Sequence, residues 1–142
     1  MNILASIPVR LYGPESARFL IEDLSDKIAH RAHEIFLEHG QHGRDLDNWL
    51  AAERELIIKL DPTVTLEGQE VFIDAVLPTR VFENVAVHIS PRQFVISSDE
   101  NADGVRLFQV INLPLEMFSG TIDAEQSDST VHISASILQE LP

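Results

Sequence analysis

Val71-Phe72-Ile73-Asp74-Ala75-Val76-Leu77-Pro78 opens a run, extending to Ile137, that holds most of the material for a core. Apolar and polar residues alternate along it, and turn residues cut it at intervals. Val85-Ala86-Val87-His88-Ile89 stops at Ser90-Pro91, and Gln93-Phe94-Val95-Ile96 meets the polar segment from Ser97 to Gly104. Val105 to Leu113 stops at Pro114, while Thr121 to Glu125 and Thr130 to Ile137 flank Gln126-Ser127-Asp128-Ser129. Thr63-Val64-Thr65-Leu66 alternates too, with Glu67-Gly68-Gln69-Glu70 as a turn into Val71. Period-2 alternation between such breaks marks half-buried antiparallel strands. About seven of them at this spacing predict a β-sandwich over residues 62–142.

Upstream the period changes. Ser25 stands where an N-cap would, and Ile28, Ala32, Ile35, Phe36 and His39 recur on one helical face. Gly40 suits the left-handed residue that closes a helix. Asp45 is expected to cap a second helix carrying Leu46, Trp49, Leu50, Glu53, Leu56, Ile57 and Leu60, ended by Asp61-Pro62. Residues 24–61 thus predict a helical hairpin, too small to be stable alone. The fold class is α+β, with a hairpin ahead of an antiparallel sandwich and no flexible linker between them. In the arm over residues 1–23, Ile7, Val9 and Leu11 alternate before a turn at Tyr12-Gly13-Pro14. That arm predicts a short edge strand lying on another surface, or a segment for self-association or client binding.

The chain has 142 residues, 44% of them apolar, and a formal charge of −13. Residues 62–142 carry −9 of that charge and the remainder −4. Acid on both halves repels phosphate backbones and anionic membranes, which argues against either as a partner. There is no cysteine, so thiol catalysis, disulfides and cysteine metal sites are excluded. The start, Met1-Asn2-Ile3-Leu4-Ala5-Ser6-Ile7-Pro8, lacks a basic region before an apolar run, and no window reaches membrane-spanning length. A cytoplasmic protein is expected.

The punctuation of the strands resembles the small heat-shock protein (Hsp20, α-crystallin) domain. The carrying residues are Leu77-Pro78, Val85-Ala86-Val87, Phe94-Val95-Ile96, Phe108 to Pro114, Ile122-Asp123-Ala124 and Val131-His132-Ile133. The second Leu-Pro followed by Ile-x-Ala is the most specific part. This chain departs from the family at Thr79, where glycine is usual, and at Asp128-Ser129-Thr130-Val131, where the turn glycine is missing. The loop from Ser98 to Val105 is too short for a swapped dimerisation strand, and Leu138 to Pro142 lacks an Ile-x-Ile anchor. Those two departures argue against a large chaperone oligomer. The hairpin is similar to a small bacterial domain of unknown function. That similarity rests on Arg31-Ala32-His33-Glu34-Ile35, the loop from Gly40 to Gly43, and Asp45-Leu46-x-x-Trp49-Leu50-x-Ala52-Glu53-x-Glu55-Leu56. It brings no biochemistry, and a stress or scaffolding role follows by association only.

Among residues that could carry chemistry, His30, His33, His39 and His42 lie close in sequence, with Glu34 and Glu38 able to add oxygen ligands. His39 falls on the apolar face while His30 and His33 point away, so the cluster does not converge from one helix and no metal is expected. Glu53 lies on the apolar stripe and needs a partner there; Arg31, near Trp49, could bridge to it across the hairpin. No Gly-x-Ser-x-Gly elbow or phosphate loop is present, as Gly104 and Gly120 stand alone. His88 and His132 fall on strand faces opposite Val87 and Val131, outside the core. Enzyme is the disfavoured class, and no cofactor is expected.

The sandwich edges are better candidates, because an unpaired edge strand can take a guest segment as an extra strand. By the heat-shock resemblance, the guest groove is lined by Val85, Val87 and Ile89 with Ile122 and Ala124; alternation also allows these residues simply to face the core. The resemblance implies ATP-independent holding of unfolding client proteins, as a homodimer. The alternatives are a dedicated interaction module like the co-chaperone p23 relatives, binding one folded partner, and a regulator with a metal-binding histidine cluster.

Overall fold

A computed structural model of the chain describes residues 7–40, 44–78, 82–113 and 121–136. The sequence readings at His42, Gly43, Thr79, Pro114, Gly120, Ile137 and the 138–142 tail lie outside the described residues.

The described residues begin with two short strands, β1 (Ile7–Pro8) and β2 (Arg10–Tyr12), followed by α1 (Pro14–His39) and α2 (Asp45–Leu56). The first helix starts eleven residues before Ser25, which lies inside it and caps nothing. Pro14 sits in the first turn, where its fixed φ and missing N–H are tolerated, and Glu15, Ala17, Arg18, Leu20 and Glu22 are good helix formers. Residues 14–23 of the expected arm are thus helical. Leu24, Ile28 and Ile35 are buried at helical spacing. Gly40 closes the helix at φ 60°, its N–H donating to the Phe36 carbonyl at 2.7 Å.

Asp45 is the first residue of α2 rather than its cap, which is Arg44. The helix ends at Leu56 and does not reach Leu60. β-Branched Ile57-Ile58 instead forms β3 (Ile57–Ile58), parallel to Arg106-Leu107. Seven longer strands follow among the described residues: β4 (Thr63–Glu67), β5 (Glu70–Val76), β6 (Ala86–Ser90), β7 (Gln93–Ser97), β8 (Arg106–Asn112), β9 (Ile122–Ser127) and β10 (Thr130–Ser136). Gly68, at φ 59°, opens the two-residue turn between β4 and β5. Asp128 takes the left-handed position at φ 56° between β9 and β10, where a glycine would be unstrained.

Two sheets form, ordered β1-β9-β10-β5-β4 and β2-β6-β7-β8-β3. Between them lies a core of Val71, Ile73, Phe94, Ile96, Val131 and Ile133, all essentially solvent-free, with Val87 and Val9 in the same cluster. A second cluster, of Leu24, Ile28, Ile35, Ala52 and Ile57, takes in Trp49 of α2 and Phe108 of β8. The hairpin thus lies on the outer face of the second sheet, whose middle strand β7 is buried on both sides. No helix among the described residues packs on the outer face of the first sheet. The layers are helices, sheet and sheet.

Candidate protein-binding groove

The groove lies between β6 of one sheet and β9 of the other. Val87 is fully buried in the core, and Val85, Ile89, Ile122 and Ala124 are partly buried against it. Their inner faces are therefore continuous with the hydrophobic core.

The chain's own arm occupies this groove. β1 pairs antiparallel with β9, setting Ile7 opposite Gln126 and Pro8 opposite Glu125. The Val9 N–H then donates to the Ala124 carbonyl at 3.0 Å, and its side chain enters the core at 8% exposure. The next residues cross to the other sheet, where Arg10, Leu11 and Tyr12 pair parallel with Ala86, Val87 and His88. Six residues thus cap an edge of each sheet and plug the gap between them. Alternation of Ile7, Val9 and Leu11 announced an extended arm; that its destination is this groove carries no signal in the sequence.

A polar clamp holds the arm's far end. The His88 Nδ1 lies 2.9 Å from the Ser16 Oγ of α1, and its Nε2 lies 2.8 Å from the Ser97 Oγ of β7. Tyr12 stacks on the imidazole with centroids 5.2 Å apart. His88 does face away from Val87, yet it is buried, because α1 and Tyr12 cover that face of the sheet. Burial pushes its pKa below the ordinary histidine value. A cavity of about 300 Å³ beside it is lined by Arg10, Asn84, Asp99 and Arg106. Glu100 fastens α1 to this side of the sandwich, reaching Lys27 at 2.8 Å and Arg106 at 3.3 Å. The two cations hold the Glu100 carboxyl below the usual range, Lys27 having the larger effect.

In the hairpin, Ala32 and Trp49 pack on the second cluster. Arg31 bridges the helices, but to Glu55 and not Glu53: its Nε lies 2.6 Å from one Glu55 oxygen and its Nη2 3.2 Å from the other. Glu38 at 3.3 Å and Glu34 at 3.8 Å flank the same guanidinium. This hydrogen bonding lowers the Glu55 pKa. Glu53 pairs instead with Lys59 at 2.5 Å, beside a cavity of about 230 Å³ that Trp49 also lines. A strand at Ile57-Ile58 turns Lys59 back toward α2, which helical spacing alone does not foresee. Asp45 is exposed at the start of α2.

His30, His33 and His39 are all exposed, so His39 is not on the packed face as the spacing predicts; α1 turns its Leu24, Ile28 and Ile35 face inward instead. His33 stacks on Phe36 with centroids 6.1 Å apart. Among the described residues no three His, Asp or Glu side chains gather around a point that could hold a metal ion. His132 lies on the outer face of the first sheet, its Nδ1 against Asp74 in a cross-strand row with Glu125. Among the described residues no helix is long and apolar enough to cross a membrane.

Solved structures share the sandwich. A single-substitution mutant of hsp14.1 from Sulfolobus solfatataricus P2 superimposes with a TM-score of 0.50 at 12% identity, over 68% of this chain and 91% of that one. A Del-C4 mutant of the same protein gives 0.49 at 17% identity, over 62% and 82%. Heat shock protein 16.0 from Schizosaccharomyces pombe gives 0.49 at 13%, over 70% and 88%. At such identities the likeness concerns the fold alone, an Hsp20-like β-sandwich. Residues 23–57 match the family model described as "Protein of unknown function (DUF2934)". No curated protein matches the chain in sequence. The molecule therefore joins a helical segment of unassigned function to a small heat-shock fold, which by itself does not specify an activity.

Proposed function

We propose that this chain is a non-enzymatic, cytoplasmic protein-binding protein of small heat-shock type, which holds unfolding clients without ATP. Its guest site is the groove lined by Val85, Val87, Ile89, Ile122 and Ala124. The observation that carries this reading is the arm itself. Residues 7–12 already sit there as an added strand, with main-chain pairing to β9 and β6 and the Val9 side chain in the gap. That is the binding mode in which main-chain hydrogen bonds give affinity and alternate side-chain pockets give selectivity. An extended apolar client segment would replace the arm, so the arm acts as a reversible plug.

Suppression of aggregation of a heat-unfolded client without nucleotide tests this, comparing the wild type with Val9→Asp. An aspartate cannot stay unpaired in the core, so the variant's arm leaves and the groove opens. Stronger suppression by the variant supports the proposal; equal suppression removes the groove from the account.

A second reading is a dedicated module for one folded partner. The hairpin favours it, since Leu37 and Leu46 stand 66% and 70% exposed at its loop end. Such a module would bind a single protein stoichiometrically and leave unrelated clients to aggregate.

A further inference from the structure

The sandwich has two open sides, and the arm closes only one. At the other, β4 ends its sheet, and all five of its residues are exposed. Val64 lies opposite Ile73 and Leu66 opposite Val71, both fully buried, so these two β4 side chains face inward. Yet Val64 is 37% and Leu66 45% exposed, because β3, which ends the other sheet, has only two residues. The strand's own residues offer little edge protection: no lysine, no internal proline and a single charge, Glu67.

We propose that β4 pairs with β4 of a second copy of this chain, antiparallel and centred on Thr65. Backbone geometry fixes that register. The two-residue turn makes Glu67 and Glu70 a hydrogen-bonded pair, and the alternation extends this to Thr65 with Phe72 and Thr63 with Asp74. The amides and carbonyls of Val64 and Leu66 therefore point away from β5. Across a two-fold axis at Thr65, Val64 of each copy stands opposite Leu66 of the other, so these free groups satisfy one another reciprocally.

The side chains agree. Val64 meets Leu66 on the inward face and covers it, and Thr65 meets Thr65, a favourable cross-strand pair. Glu67 meets Thr63, so no like charges face each other. This matters in a chain of net charge −13, for which most other surfaces repel a second copy. The pairing is independent of the groove.

Light scattering coupled to size exclusion, across concentration, should give a dimer that dissociates on dilution. Val64→Pro removes an N–H that β5 does not use, and it should weaken association about ten-fold or more while circular dichroism stays unchanged. Because the chain has no cysteine, single thiols report the register. Thr65→Cys places two thiols across the axis at a separation a disulfide accepts, whereas thiols in Thr63→Cys lie about 13 Å apart along the strands. Thr65→Cys should therefore cross-link far faster. A monomer at every concentration, an undisturbed Val64→Pro dimer, or equal cross-linking at positions 63 and 65 would each overturn the proposal.

Discussion

Val9 donates its amide hydrogen to the Ala124 carbonyl at 3.0 Å while its side chain shares a buried cluster with Val87 on the other sheet. One residue thus joins both walls of the groove. Burial of the valine favours the docked arm, and the conformational entropy of ordering six residues opposes it. Main-chain pairing on both sides adds to the burial. The balance suits a plug that local opening can release without unfolding the sandwich.

Acid should loosen the arm through His88. Burial depresses its pKa, so the unfolded chain binds a proton more readily than the folded one. The stability this group contributes is complete above about pH 6.5 and is lost as pH falls through the lower folded value. The groups facing it are Ser16 of α1, Tyr12 and Arg10 of β2, Ser97 of β7, Arg106 of β8, and Asn84 and Asp99 of the loops. The thermal midpoint of the wild type should fall between pH 7 and 5 more steeply than that of His88→Gln, which keeps donors and acceptors for both serines but does not titrate. Parallel curves would assign the acid sensitivity elsewhere.

Glu55→Gln should lower the thermal midpoint slightly, and the difference from wild type should shrink in high salt, since the pair is exposed. The depressed Glu55 pKa places this contribution above the ordinary carboxylate range, with loss as pH falls through the folded value. Glu53→Gln should leave that salt dependence in place, because Arg31 pairs with Glu55. Paired melts of the two variants at low and high salt decide it.

Asp128→Gly should stabilise the chain. Asp128 holds φ 56° at the turn between β9 and β10, a conformation in which glycine has no Cβ penalty. Relief of about 1–2 kcal/mol, less roughly 0.4–1 kcal/mol for the added freedom of the unfolded glycine, is expected and is measurable as a shift in the urea midpoint. An unchanged or lower midpoint would mean that the side chain supports the turn more than its backbone costs.

The sandwich was legible because each strand is bounded by a residue with a mechanical reason to break it, as Gly68 does between β4 and β5. The resemblance carried by Phe108 to Leu113 and Ile122-Asp123-Ala124 extended that pattern to strand order. The start of α1 was obscured because Tyr12-Gly13-Pro14 reads equally well as a turn and as the entry to a helix. Ile57-Ile58 kept helical spacing, and only its pairing with β8 made it strand. Burial of His88 depends on a helix more than 70 residues away in sequence, so alternation could assign its face but not its cover. Glu53's partner was missed for a related reason: Lys59 returns to it only after the chain has left the helix.

The most direct test of the plug is a binding titration with a fluorescent peptide of the arm sequence, Ile3 to Tyr12, followed by anisotropy. Wild type, whose groove is filled, and Val9→Asp, whose groove is vacated, are compared after circular dichroism has verified that both sandwiches are folded. Binding to Val9→Asp at least about ten-fold tighter than to wild type is the predicted result, because an intramolecular competitor reduces apparent affinity by the fraction of chains it leaves open. Equal affinity for the two folded proteins, or none for either, would contradict the claim that the arm guards a binding groove.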